Sequence, residues 1–257
     1  MKRLTPAEIH LKRLGITEPC EIDLEAIAWD AKAVVRYEPL DGCEARIIGY
    51  GDRAIITVDP GKGKRRKRFS TGHELGHWRH HHGQSFVCRS DDIGNQVLSA
   101  LHPERIADAY AADLLLPEYL FRPLAQQFTR VTIEAIGKLA EAFTTSLTAT
   151  ALRMVQLGPV PAMLICHTAT RRKWFRPGPD VPSRWFPRDD LDAESGAFEV
   201  LHGQKESSRQ ILIGADAWFD RYEAARYELY EQSVRVTENE VLTLLVFKDA
   251  KMLEEAA

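Results

Sequence analysis

The chain has 257 residues, of which 44% are hydrophobic and 28% charged, and its net charge is −3. That supplies enough apolar side chain for a buried core, so neither a disordered chain nor a disulfide-held miniprotein is expected. A global positive field of the kind that recruits nucleic acid is absent. The opening, Met1-Lys2-Arg3-Leu4-Thr5-Pro6, leads into a polar stretch, and no run approaches the roughly 18 apolar residues of a membrane span. Cys20, Cys43, Cys88 and Cys166 are scattered without a Cys-x-x-Cys pair, so we expect a cytoplasmic protein with reduced thiols and no membrane partner.

Residues 6–14 place Ile9, Leu11 and Leu14 among charges and predict a short helix after Pro6. Residues 23–32 predict a second helix, capped by Asp23. The period then changes. Val34–Tyr37, Ala45–Ile48 and Ala54–Val58 are β-rich runs, and Gly-Tyr-Gly-Asp at 49–52 predicts a hairpin between the last two. Residues 61–68, Gly-Lys-Gly-Lys-Arg-Arg-Lys-Arg, read as a basic, solvated loop. A helix is predicted from about Phe69 to His81 with Gly83 as its stop, then an irregular stretch over 84–101. Pro103 opens a further helix that ends at Pro117. Ile133, Ile136, Leu139, Ala140 and Phe143 share a helical face, Leu147, Leu152 and Val155 continue it, and Thr144-Thr145-Ser146 interrupts it, a helix-turn-helix outline.

Gly-Pro-Val-Pro at 158–161 marks a boundary. Beyond it, Met163–Cys166, Phe198–Leu201, Arg209–Ile213, Ser233–Val236 and Val241–Phe247 read as strands, 216–227 as a short helix, and 174–190, with four prolines, as a long loop. The expected class is α+β, in three parts: 1–117, carrying a small antiparallel sheet; a helical, helix-turn-helix-like block over 118–157; and a C-terminal αβ domain over 158–257.

His73-Glu74-Leu75-Gly76-His77 is an H-E-x-x-H. Residues four apart on a helix share a face, so both imidazoles can reach one ion. Glu74 stands beside that ion, placed to take a proton from the attacking water. A histidine-rich surface helix would give the same letters, and His80, His81 and His82 follow directly. The second motif is Pro103-Glu104-Arg105-Ile106-Ala107-Asp108-Ala109-Tyr110-Ala111-Ala112-Asp113. Glu104 and Asp108 lie one turn apart on one face. A catalytic zinc takes three protein ligands and leaves one position open, and Glu104 completes a His₂Glu set. Asp108 is placed to accept the second ring N–H of a ligand histidine. Ala107, Ala111 and Ala112 allow close helix packing. Taken alone, Glu104 also suits a helix N-terminus through the dipole. The rival third ligands are His80 and His81, but the longer H-E-x-x-H-x-x-G-x-x-H pattern fails: His80 occupies the glycine position and Gly83 the last histidine position.

Phe-Ser-Thr-Gly-His-Glu-Leu-Gly-His at 69–77, followed by Glu-x-x-Ala-Asp-x-Tyr-Ala-Ala-Asp-Leu-Leu-Leu-Pro at 104–117, resembles the ImmA/IrrE metallopeptidases. The resemblance covers about residues 1–157. It implies a zincin-like peptidase fold, His73, His77 and Glu104 as metal ligands, Glu74 as the base, and a cytoplasmic bacterial or phage protein. It further implies cleavage of helix-turn-helix repressors, which frees stress-response or mobile-element genes, and a sensory, GAF-like domain over 158–257. Asp108 stands where the family often has Asn, and Leu116 where it often has Met; neither removes a ligand.

The leading expectation is therefore a zinc endopeptidase, with manganese as an exchangeable substitute, acting on a repressor. Two alternatives remain open: a DNA-binding regulator using 130–157, where Arg130, Lys138 and Arg153 are the only Lys or Arg residues, and an interaction module of toxin–antitoxin type with a residual metal site. Tyr110 and His102 are candidates for stabilising the oxyanion.

Overall fold

A computed structural model of the chain describes residues 3–80, 86–88 and 102–254, with 86–88 described by backbone alone. The expected helix stop at Gly83, the histidines His81 and His82, and most of the stretch 84–101 lie outside the described residues. The chain divides into two compact units, Met1–Phe121 with Ala140–Ser146 and Arg122–Leu139 with Leu147–Ala257.

In the first unit, helix α1 (Pro6–Arg13) starts from a capping box: Thr5 accepts the Glu8 N–H, and Glu8 accepts the Thr5 N–H. Helix α2 (Leu24–Asp30) is capped by Asp23, which accepts the N–H groups of Glu25 and Ala26. Strands β1 (Ala33–Tyr37), β2 (Ala45–Tyr50), β3 (Arg53–Val58) and β4 (Phe86–Cys88) form one sheet in the order β1-β3-β2-β4. The β2–β3 hairpin forms, with Gly51 at φ +59° in a turn tighter than the four residues anticipated. The sheet is mixed rather than antiparallel, because β1 runs parallel to β3, with Ala33 opposite Ala54. The connection over 38–44 turns at Asp41-Gly42, with Gly42 at φ +75°, but it carries the chain across β3 before β2 begins, so β1 pairs with β3 and not with β2.

Helix α3 (Lys64–His80) packs on β2 and β3 and along helix α4 (Pro103–Leu115). It begins five residues before Phe69, so most of the expected basic loop is helical. That start survives a run of cations at the positive end of the helix because buried Glu44 takes Arg66 at 2.5 Å and Lys62 at 3.6 Å, and Arg68 donates to the Ile22 carbonyl. Helix α5 (Glu118–Ala125) follows, then α6 (Ile133–Phe143) and α7 (Leu147–Leu157), parted at Thr144, which adopts φ +54°.

The second unit carries a five-stranded antiparallel sheet, built from β5 (Ala162–Thr168), β6 (Arg172–Pro177), β7 (Ile211–Gly214), β8 (Glu228–Thr237) and β9 (Glu240–Phe247) in the order β6-β5-β9-β8-β7. Its helix α8 (Gly196–His202) corrects the strand expected at Phe198–Leu201. A four-residue apolar run cannot reveal its period, but Ser195 accepts the Phe198 N–H at 3.1 Å and starts a helix whose Ala197, Val200 and Leu201 are buried. Strand β6 lies where an irregular loop was expected, and the helix expected over 216–227 is a pair of 3₁₀ turns, Ala215–Ala217 and Tyr222–Arg226. Met163, Ile165, Trp185, Trp218, Phe219 and Leu245 form the core of this unit. Among the described residues no helix is long and apolar enough to cross a membrane.

Candidate metal centre

Both histidines of the H-E-x-x-H stand on α3, one turn apart, and both are fully buried, as is Glu74 between them. The imidazoles meet at 77°, with ring centroids 4.7 Å apart. Helix α4 presents its first turn to them. Glu104 Oε2 lies 3.0 Å from His73 Nε2, and Oε1 lies 3.3 Å from His77 Nε2. The two Nε2 atoms are 3.0 Å apart. On its other nitrogen, Nδ1, His73 meets Asp108 Oδ1 at 2.9 Å.

Close helix packing brings these groups together. A Cβ on Gly76 would stand 2.8 Å from the Ala107 Cα and 2.9 Å from its carbonyl oxygen, so α4 crosses α3 where only a hydrogen fits. At Gly72 a Cβ would meet Ala111 Cβ at 3.4 Å. Glycine on one helix and alanine on the other set the separation that lets a first-turn carboxylate reach both imidazoles. The alanines of α4 signalled this in the sequence; their glycine partners inside the motif did not stand out.

The electrostatics fit a cation. Burial works to lower the pKa of His73, but its hydrogen bonds to Asp108 and Glu104 and the charge of Glu74 outweigh it and raise the group to about 9. Burial lowers His77, and the charge on His73 adds to that effect. Glu104 is held well below the usual carboxylate range, because its bonds to the two imidazoles overcome burial. Two imidazoles and one carboxylate thus offer three lone-pair donors mutually within 4.8 Å, a set that one divalent ion would satisfy. A tetrahedral ion with bonds of about 2.0–2.1 Å separates its ligand atoms by roughly 3.3 Å. The nearest separations here are of that order, 3.0 Å between the imidazoles and 3.0 and 3.3 Å to the two different carboxylate oxygens, and one donor atom from each residue lies within 4.8 Å of the others.

The remaining expected residues sit elsewhere. His80 turns its ring to Tyr110, with centroids 5.8 Å apart. His102 caps α4 by accepting the Glu104 N–H at 3.3 Å. Among the described residues the metal-type cluster is His73, His77 and Glu104, without His80.

A family model for the IrrE N-terminal-like domain (Peptidase M78) matches residues 28–155. Residues 28–155 belong to the ImmA/IrrE peptidase family. That family is one of metallopeptidases, and the matched span contains both helices of the cluster. A Mycobacterium tuberculosis transcriptional regulator shares the fold, with a TM-score of 0.61 at 16% identity over 94% of this chain and 74% of that one. Among curated proteins none matches the sequence.

Proposed function

We propose that this ImmA/IrrE family member is a zinc-dependent endopeptidase that cleaves a helix-turn-helix repressor. The observation that carries the reading is the convergence of His73 Nε2, His77 Nε2 and the Glu104 carboxylate, with buried Glu74 one residue from the first ligand. In this reading His73, His77 and Glu104 hold zinc, and two imidazoles with one carboxylate also suit manganese. When bound, such an ion polarises a peptide carbonyl and makes water a nucleophile near neutral pH. Glu74 receives the proton of the attacking water on its carboxylate and delivers it to the departing amine nitrogen. Asp108 accepts the Nδ1–H of His73, which fixes the ring's tautomer and leaves Nε2 as the donor atom. Burial of both imidazoles and of Glu74 keeps bulk water from competing for that proton. The family assignment supports a protein substrate; a repressor as that substrate comes from the resemblance alone.

The test combines the purified chain with the repressor encoded by the adjacent gene, with and without chelator. Zinc-dependent fragments that disappear with Glu74→Gln, at unchanged metal content, are the expected outcome. Cleavage by the Gln variant at the parental rate rejects Glu74 as base. We read residues 158–257 as a regulatory, sensory part of GAF-like type; the resemblance and the change to strand-rich sequence after Gly-Pro-Val-Pro at 158–161 support that reading. A small molecule that shifts the melting temperature and the cleavage rate while metal content stays constant is the expected support.

A further inference from the structure

A sheet with one solvated face normally alternates apolar inward and polar outward. The first unit's sheet departs from this. Its inward positions, Ala33, Ala54, Ile47 and Ile56 among them, are buried on the side where α3 packs. Its outward positions include Val34, Ile55 and Ile48, which are 39%, 37% and 51% exposed. The register makes them one row across three strands: Val34 stands opposite Ile55, and Ile55 opposite Ile48. Two residues along in one direction, exposed Arg36 and half-buried Arg46 flank Thr57, which is itself buried. Two residues along in the other stand Arg53 and Tyr50, the latter 90% exposed. Among the described residues none of these arginines has a carboxylate within ion-pair distance.

We infer that this outer sheet face is a docking surface for an acidic amphipathic helix of a partner protein. Two interstrand spacings make the apolar row about 10 Å wide, the diameter of one helix. The arginines lie about 7 Å from the row along the strands, which is four to five residues of helical rise. The matching ligand has an apolar stripe, with Asp or Glu about one turn to either side of its centre. Arginine and tyrosine around an aliphatic centre are also the residue types that dominate protein interfaces. A strand-adding peptide is disfavoured because the row lies on a face and not along an edge. A stacked nucleic acid is disfavoured because Tyr50 is the one aromatic side chain in the set. The face lies on the side of the sheet away from the α3 ligands, so the inference is independent of the proteolytic reading.

The probe is a helix-stapled peptide with leucines at i, i+3, i+4 and i+7 and glutamates on both flanks, titrated by fluorescence anisotropy against the full chain. Its control carries lysines in place of the glutamates. The glutamate peptide is expected to bind about tenfold more tightly than the lysine peptide. Arg36→Glu with Arg46→Glu and Arg53→Glu should reverse that order, and Ile48→Asp should weaken binding by about tenfold at an unchanged melting temperature. Should the aspartate unfold the chain, Ile48→Ala with Ile55→Ala is the gentler variant, with the same expected direction. No binding of the glutamate peptide, or equal binding of the two peptides, overturns the inference. So does a dimer in sedimentation that Ile48→Asp or the double alanine variant turns to monomer, because the face would then belong to a second copy of the chain.

Discussion

Asp108 Oδ1 lies 2.9 Å from His73 Nδ1, across the α3–α4 interface. The carboxylate can only accept, so it holds a proton on Nδ1, and in the proposed metal-bound state that makes Nε2 the ligating atom. Asp108→Ala should therefore weaken metal affinity about 10- to 100-fold. Asp108→Asn should retain most of it, since the amide oxygen still accepts the N–H. Competition for zinc against a chromophoric chelator measures both. Parental affinity in the alanine variant would remove Asp108 from the site.

The two glycines of α3 give a paired test. At Gly76 an added Cβ would press on the Ala107 backbone at 2.8 Å and 2.9 Å, and backbone cannot step aside as a side chain can. Gly76→Ala should cost about 1–3 kcal/mol and separate Glu104 from the imidazoles, with loss of bound metal. At Gly72 the contact is 3.4 Å to a methyl group. There the overpacking is offset by the helix preference of alanine, worth about 1 kcal/mol, so stability and metal content should stay near parental. Denaturant melts with metal analysis separate the outcomes; a Gly76→Ala chain with full metal content contradicts the packing account.

This contrast also marks how much of the site could be read from the sequence. A four-residue spacing is local geometry, so His73, Glu74 and His77 were legible, and Pro103 fixed where α4 begins and hence where Glu104 falls. What brings Glu104 to the histidines is a tertiary contact through Gly76 and Ala107, for which the letters offer only small residues. The same limit explains the corrections to the fold. Lys64–Arg68 looked like a solvated loop because Glu44, which neutralises Arg66 and Lys62, lies about twenty residues upstream. Parallel pairing of β1 with β3 leaves no turn signature, and the run Phe198–Leu201 is shorter than the window over which a period can be counted.

In the second unit, Gln232 is 1% exposed and bridges a strand to a helix start. Its Oε1 accepts the Ile133 N–H at 2.8 Å, and its Nε2 donates to Glu134 at 2.9 Å. An Ala at this position leaves a helix-terminal donor and a carboxylate without that partner, a loss of about 1–3 kcal/mol. Gln232→Glu should be worse than alanine, because it sets a second carboxylate against Glu134. Equal stability of the two variants in urea would show that Glu134 moves away from the added charge at no cost.

His167 is 1% exposed on β5, its ring edge-on to Trp218 at 5.8 Å, and neither ring nitrogen reaches a partner at full hydrogen-bond geometry. Burial pushes its pKa down from 6.5 to about 4, against a partial pull from the Arg188 backbone. The unfolded chain therefore takes up a proton at this residue before the folded chain does. The stabilising contribution is complete above pH 6.5, declines as the pH falls, and is lost by about pH 4; the full span is at most about 3 kcal/mol. Glu231, raised by burial, has the opposite slope above its ordinary value, so the parental curve alone does not isolate the histidine. His167→Leu removes only the histidine term. Urea melts of parent and variant at a series of pH values should give stabilities that draw together above pH 6.5, with the parent falling below the variant by a growing margin toward pH 4. A difference that is constant across that range would mean the ring is protonated in the folded chain as readily as in the unfolded one.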